Sequence, residues 1–115
     1  MLPGLSGHED RVRRALRDRL TQIGGDSTSD RLGNLVAHFR GDGPTVMLFT
    51  HMDQLGFIIR RIDANGLIQL ERLGSLPERA LAAQEVLICI GEGRDFPGII
   101  AKKATMPPLR RKSTR

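Results

Sequence analysis

The sequence predicts an α/β fold, one amphipathic helix followed by a series of strands. Three observations carry this reading. Val12, Leu16, Leu20 and Ile23, with Ala15 beside them, share one helical face. Apolar runs of strand length recur from residue 35 to residue 100, separated by turn residues. Asn65-Gly66 lies between two of those runs, a strong hairpin signal.

The elements follow in order. Ser6-Gly7-His8-Glu9 has the pattern of a capping box, with Ser6 accepting from the Glu9 amide and the Glu9 carboxylate accepting from the amide of Ser6. A helix over 7–23 follows, with Arg11, Arg14, Arg17 and Asp18 off its apolar stripe, and Gly24-Gly25 ends it. Asp26 to Asp30 reads as a loop and Gly33-Asn34 as a turn. Strands are expected at Leu35–Phe39, Thr45–Thr50, Leu55–Ile62 and Leu67–Leu73, with turns at Gly41 to Pro44 and Asp63 to Gly66. Beyond Pro77 the chain is irregular before strands at Glu85–Ile90 and Ile99-Ile100. The pattern is that of an α/β enzyme opening and running into a β-rich module.

Composition narrows the function classes. At 115 residues the chain is at most one small domain, or part of a larger one. It has no Trp or Tyr and four Phe, so a core would rest on Leu, Ile and Val. The single cysteine, Cys89, excludes an internal disulfide framework and suits a reducing cytosol. Within Val86 to Ile90 it reads as a buried small hydrophobe. No signal-peptide pattern opens the chain and no apolar run reaches the length of a membrane span, so the expected location is the cytoplasm. The net charge of +5 would suggest nucleic acid, but six of the 18 basic residues lie in residues 102–115, where there is no acidic one. The rest holds 12 basic against 13 acidic residues, a net of −1. Neither nucleic acid nor a membrane is an expected partner.

The chemistry concentrates at the end of the Thr45–Thr50 run. Strand alternation points residues two apart to one side, so His51 and Asp53 can approach a common point. A neutral imidazole can bind a metal through one nitrogen while a carboxylate fixes the ring, directly or indirectly. The same triplet also suits a histidine hydrogen-bonded to a neighbouring aspartate at a sheet edge. His8 and His38 lack even this context and read as solvated or structural.

The order of short motifs around the triplet favours the metal reading. Ser6-Gly7-His8-Glu9, Asp30-Arg31-Leu32-Gly33-Asn34-Leu35, Gly43-Pro44-Thr45-Val46-Met47-Leu48 and His51-Met52-Asp53-Gln54-Leu55-Gly56-Phe57 follow in series. Ile62 to Gly66, Leu73-Gly74, Gln84-Glu85-Val86 and Pro97 to Ala101 continue it. The series resembles the amino-terminal part of the glutamyl-aminopeptidase and tetrahedral-aminopeptidase family of dinuclear metallopeptidases, some members of which have been labelled endoglucanases. The resemblance covers about residues 4–103. It implies that His51 is the first ligand of a pair of zinc or cobalt ions and that Asp53 orients it in the catalytic machinery. It places residues 1–66 in the catalytic domain, residues 67–103 at the start of a β-barrel, PDZ-like dimerisation domain, and residues 104–115 in a basic tail. The family commonly has Glu after His-Met-Asp, where this chain has Gln54.

The resemblance also implies what is missing. A dinuclear peptidase needs a bridging carboxylate, further terminal ligands and a general base, and in this family they follow the β-domain. The acidic residues here read as solvated helix and turn residues, with Glu92 and Asp95 in a hairpin. At most one metal ligand is present. After Lys103 the motif series stops. Reread one base earlier, with permissible silent bases, residues 104–114 become Ser-His-His-Ala-Thr-Pro-Glu-Glu-Lys-Lys-Tyr, close to the family pattern. A frameshift near residue 103 is the expected origin of the basic tail; the alternatives are a naturally basic, disordered terminus and, placed third, an arm for nucleic acid or an anionic surface.

The expected function is therefore an amino-terminal fragment of a metallo-aminopeptidase that acts on short peptides. The fragment itself is expected to be inactive, and the complete enzyme to be a homo-oligomer. The alternatives are a non-catalytic β-rich interaction module and the glycosidase of the family's old labels. A glycosidase needs two facing carboxylates, and no convincing pair is present.

Overall fold

The computed structural model describes residues 2–91 and 93–101. Glu92 and the basic tail lie outside the described residues. The order is one helix, α1 (Asp10–Gln22), then strands β1 (Asp26–Ser29), β2 (Leu35–His38), β3 (Gly56–Ile62) and β4 (Ile68–Leu73). A short 3-10 turn, Glu78–Ala80, leads to β5 (Glu85–Cys89) and β6 (Asp95–Ile99). The strands form three separate antiparallel ribbons, β1-β2, β3-β4 and β5-β6. Helix plus strands bears out the α/β reading at that level.

The chain divides into two compact units, Met1–Leu76 and Pro77–Arg115. In the first, α1 packs on β1 and β2. Gly25 is buried there, and a Cβ would lie 2.8 Å from the Phe39 ring and 3.0 Å from the Leu20 carbonyl oxygen. Glycine lets the chain turn closely off the end of the helix. Arg13 reinforces this packing. Its Nε donates to the Gly33 carbonyl at 2.6 Å, and its guanidinium also pairs with Asp10.

The helix starts later than the sequence implied, and the capping box does not form. Leu5 to His8 closes a tight turn, with the His8 amide donating to the Leu5 carbonyl at 2.7 Å and Gly7 at φ +80°. That turn takes Ser6 out of reach of the helix start. Glu9 occupies the N-cap without a side-chain cap bond, and its carboxylate accepts from the Gly7 amide at 2.8 Å.

Residues 26–29, expected to be a loop, form β1 because β2 offers a partner ladder from Asp26↔His38 to Ser29↔Leu35. Asp30 closes this ribbon. Its carboxylate accepts from the Leu32 and Asn34 amides at 2.9 Å and from the Asn34 side-chain amide at 2.7 Å. The Asn34 bonds, the side chain's foremost, hold the Asp30 carboxyl below the usual carboxylate range. A depressed value means the turn gains stability above the unfolded carboxylate's pKa and loses it as pH falls through the folded one. An NMR titration is expected to show the Asn34 amide moving with a midpoint below that of an ordinary aspartate. A midpoint at the ordinary value would contradict the bond set.

The Asn65-Gly66 hairpin forms as expected, joining β3 to β4 through Ile62↔Ile68. The loop has three residues: Asp63 and Leu67 bond across its base at 2.9 Å, and Gly66 takes φ +80°. A register shift between Ile59 and Arg61 marks a bulge in β3. The 66/67 boundary drawn from the sequence falls in this hairpin tip.

Two expectations fail for one physical reason. Thr45–Thr50 is not a strand, because among the described residues no neighbouring strand offers it hydrogen bonds. Val46, Met47, Leu48 and Phe49 are 77–91% exposed. Cys89 is exposed rather than buried. In β5, Val86 and Ile88 share the more covered side while Leu87 and Cys89 face outward. A two-stranded ribbon has no second layer to cover that face. Among the described residues no large hydrophobic side chain is fully buried.

Candidate active site

His51 and Asp53 lie between the unpaired run 45–50 and the start of β3. The structure brings them together. His51 Nδ1 is 2.9 Å from Asp53 Oδ1 and 3.1 Å from the Asp53 backbone oxygen. Both neighbours are acceptors, so Nδ1 carries the proton and donates. The lone pair is then on Nε2, on an imidazole whose side chain is 83% exposed. This is the tautomer a metal ligand needs, with the second nitrogen fixed by a carboxylate.

The pair does not stabilise the fold appreciably. With the Asp53 side chain 47% exposed as well, an ion pair here would contribute little. What the contact fixes is the orientation of the ring. Held this way, His51 can act as one ligand from a fixed direction.

What surrounds it does not complete a metal centre. Among the described residues no group of three or more His, Cys, Asp or Glu side chains could hold a metal ion. His8 and His38 are exposed and do not join the pair. Asp95 lies on β6 opposite Cys89, close to the hairpin role expected of it. A cavity of about 490 Å³ is lined by Ile23, Gly24, Asp26, His38, Phe39 and Arg40, and neither His51 nor Asp53 lines it.

The sequence reading missed the tie between this site and the start of the chain. The Gln54 amide donates to the Gly4 carbonyl at 2.6 Å, and Leu5 and Gln54 form an isolated parallel bridge. The Gln54 side chain reaches the Leu2 carbonyl at 3.4 Å. A contact across some fifty residues leaves no periodic signal.

The motif series is borne out by comparison with known proteins. The family model for M42 glutamyl aminopeptidase matches residues 33–114, running past residue 103, where the motif likeness stops. The lysyl aminopeptidase of Pyrococcus furiosus is 33% identical over 113 residues, covering 96% of this chain and 32% of that protein. The glutamyl aminopeptidase of Lactococcus lactis is 28% identical over 95 residues, covering 80% of this chain and 27% of that one. Among solved structures, PhTET1-12s, a dodecamer, superposes with a TM-score of 0.74 at 29% identity, covering 92% of this chain and 33% of that one. The chain spans between about a quarter and a third of the length of these relatives. Among the described residues no helix is long and apolar enough to cross a membrane.

Proposed function

This chain belongs to the M42 glutamyl aminopeptidase family, and we propose that it forms the amino-terminal part of a cytoplasmic, metal-dependent aminopeptidase that removes N-terminal residues from short peptides. The observation that carries this reading is the His51 ring, with Nδ1 held by Asp53 and Nε2 turned outward. A pair of zinc or cobalt ions would supply an activated water at neutral pH and polarise the scissile carbonyl. His51 would hold one of them through the ring nitrogen that Asp53 leaves free. Asp53 accepts from Nδ1, which fixes the tautomer and makes the ring a more basic ligand. The remaining ligands and the general base would come from outside the described residues.

In the same reading, residues 1–66 belong to the catalytic domain. Residues 67–103 open a β-barrel, PDZ-like domain through which the complete enzyme forms a homo-oligomer. A frameshift near codon 103 explains the basic tail. Resequencing from codon 95 is expected to restore Pro-Glu-Glu-Lys in an open frame, and an unchanged frame would contradict it.

A chimera tests the function. Residues 1–101 of this chain replace the matching third of the Pyrococcus furiosus relative. The product is expected to hydrolyse aminoacyl-nitroanilides with zinc or cobalt, to stop on chelation, and to fall to background in His51→Ala. A folded chimera that is inactive, or one whose activity survives His51→Ala, would overturn the proposal.

A further inference from the structure

We propose that the amino-terminal segment Leu2–Leu5 is the positioning element of the His51–Asp53 pair, acting through Gly4 and Gln54. The inference rests on the reading of His51 as a metal ligand and concerns what holds that ligand in place. Residues 45–53 belong to no strand, and the run before His51 is exposed on all sides. The run immediately before His51 therefore does not fix the pair. Immediately downstream the backbone is tied: the Gln54 amide donates to the Gly4 carbonyl at 2.6 Å, and the Gln54 side chain reaches the Leu2 carbonyl.

Gly4 makes the approach possible. It is one of the few buried residues, and a Cβ at that position would lie 3.0 Å from the Met52 carbonyl oxygen and 2.8 Å from Val12 Cγ2. Met52 stands between His51 and Asp53, so Gly4 touches the backbone that sets their spacing. Leu5 continues the contact, with Cδ1 packed where a Cβ on Gly56 would stand, 2.9 Å away. Residues 2–5 thus run alongside residues 52–56. Val12 connects the same glycine to α1, so the helix seats the segment that seats the ligand. Any side chain at position 4 must push residues 2–5 away from Met52, away from α1, or both.

The two directions can be separated by experiment. The close approach on the helix side is to Val12 Cγ2, which Val12→Ala removes while leaving Cβ at an ordinary 3.8 Å, whereas the Met52 contact is to backbone and remains. The full chain is made as wild type, Gly4→Ala, Val12→Ala and the Gly4→Ala/Val12→Ala pair. Helix content is followed by circular dichroism. The tautomer of His51 is read from its ring nitrogen shifts at a pH where the imidazole is neutral, a readout that needs no metal. The wild type and Val12→Ala are expected to show the Nδ1–H form of His51. The double variant is expected to keep the helix content of Val12→Ala and to lose the Nδ1–H preference, moving toward the Nε2–H form that an unconstrained imidazole favours.

If the double variant retains the wild-type tautomer, residues 2–5 do not position the pair. If Gly4→Ala loses helix and tautomer together and the double variant restores both, Gly4 serves only to pack α1, and the proposal fails equally. Failure of His51 to bind metal would leave these tautomer results standing and would count against the ligand reading instead.

Discussion

A chain carrying Val46→Lys and Leu48→Lys is expected to remain monomeric in sedimentation velocity at concentrations where the parent chain assembles or precipitates. The argument starts from exposure. Val46, Met47, Leu48 and Phe49 are 77%, 81%, 91% and 90% exposed, and they are contiguous. Burying one such side chain is favourable by about 1.5–3 kcal/mol, so covering even part of the run outweighs the loss of a few rotamers. The run Thr45–Thr50 has no charge, proline or glycine, and its backbone makes no ladder bonds. Such segments pair with copies of themselves. In a complete α/β enzyme a run apolar on both faces is what a buried parallel strand looks like, and its exposure here marks where the rest of a sheet would lie. Two lysines on one side interrupt the pairing while leaving His51 and Asp53 untouched. A parent chain that sediments as a monodisperse monomer would contradict this account.

The second large effect concerns Asp53. In the active chimera, Asp53→Ala is expected to weaken metal affinity roughly 10–100-fold, the usual consequence of removing a group that orients a ligating histidine. The lower end of that range is expected, because the Asp53 backbone oxygen at 3.1 Å remains an acceptor for Nδ1 when the carboxylate at 2.9 Å is gone. Competition of each protein against a chelating dye measures it. An unchanged affinity would mean that the carboxylate is only a neighbour of the ring, as the sheet-edge reading of the triplet had it.

Local signals in the sequence carry over to the fold, whereas elements that depend on a distant partner do not. The apolar stripe Val12, Leu16, Leu20 located α1, and Asn65-Gly66 located the β3-β4 turn, because both depend on residues a few positions apart. The polar run at 26–29 gave no strand signal, and it became β1 only because β2 lies opposite it. Thr45–Thr50 failed in the other sense, since strong β-forming residues make no strand without a neighbour to bond. The apolar neighbours of Cys89 point to an interior, but a ribbon of two strands has no interior on that side. At the site, His51 and Asp53 do meet in a hydrogen bond, but not through strand alternation, because residues 45–53 belong to no strand. The Gly4–Gln54 tie was beyond such reasoning, because a backbone bond between distant residues depends on no side-chain pattern.

The central claim is that His51, with its Nδ1 proton held by Asp53, presents Nε2 as a metal ligand. Cobalt(II) titrated into the full chain tests it directly, because the ion broadens the NMR signals of groups near it. His8, His38 and His51 serve as three probes within one molecule. The account predicts that the His51 ring signals broaden first, at cobalt concentrations that leave those of His8 and His38 sharp. Equal broadening of all three rings, or none at His51, would contradict it.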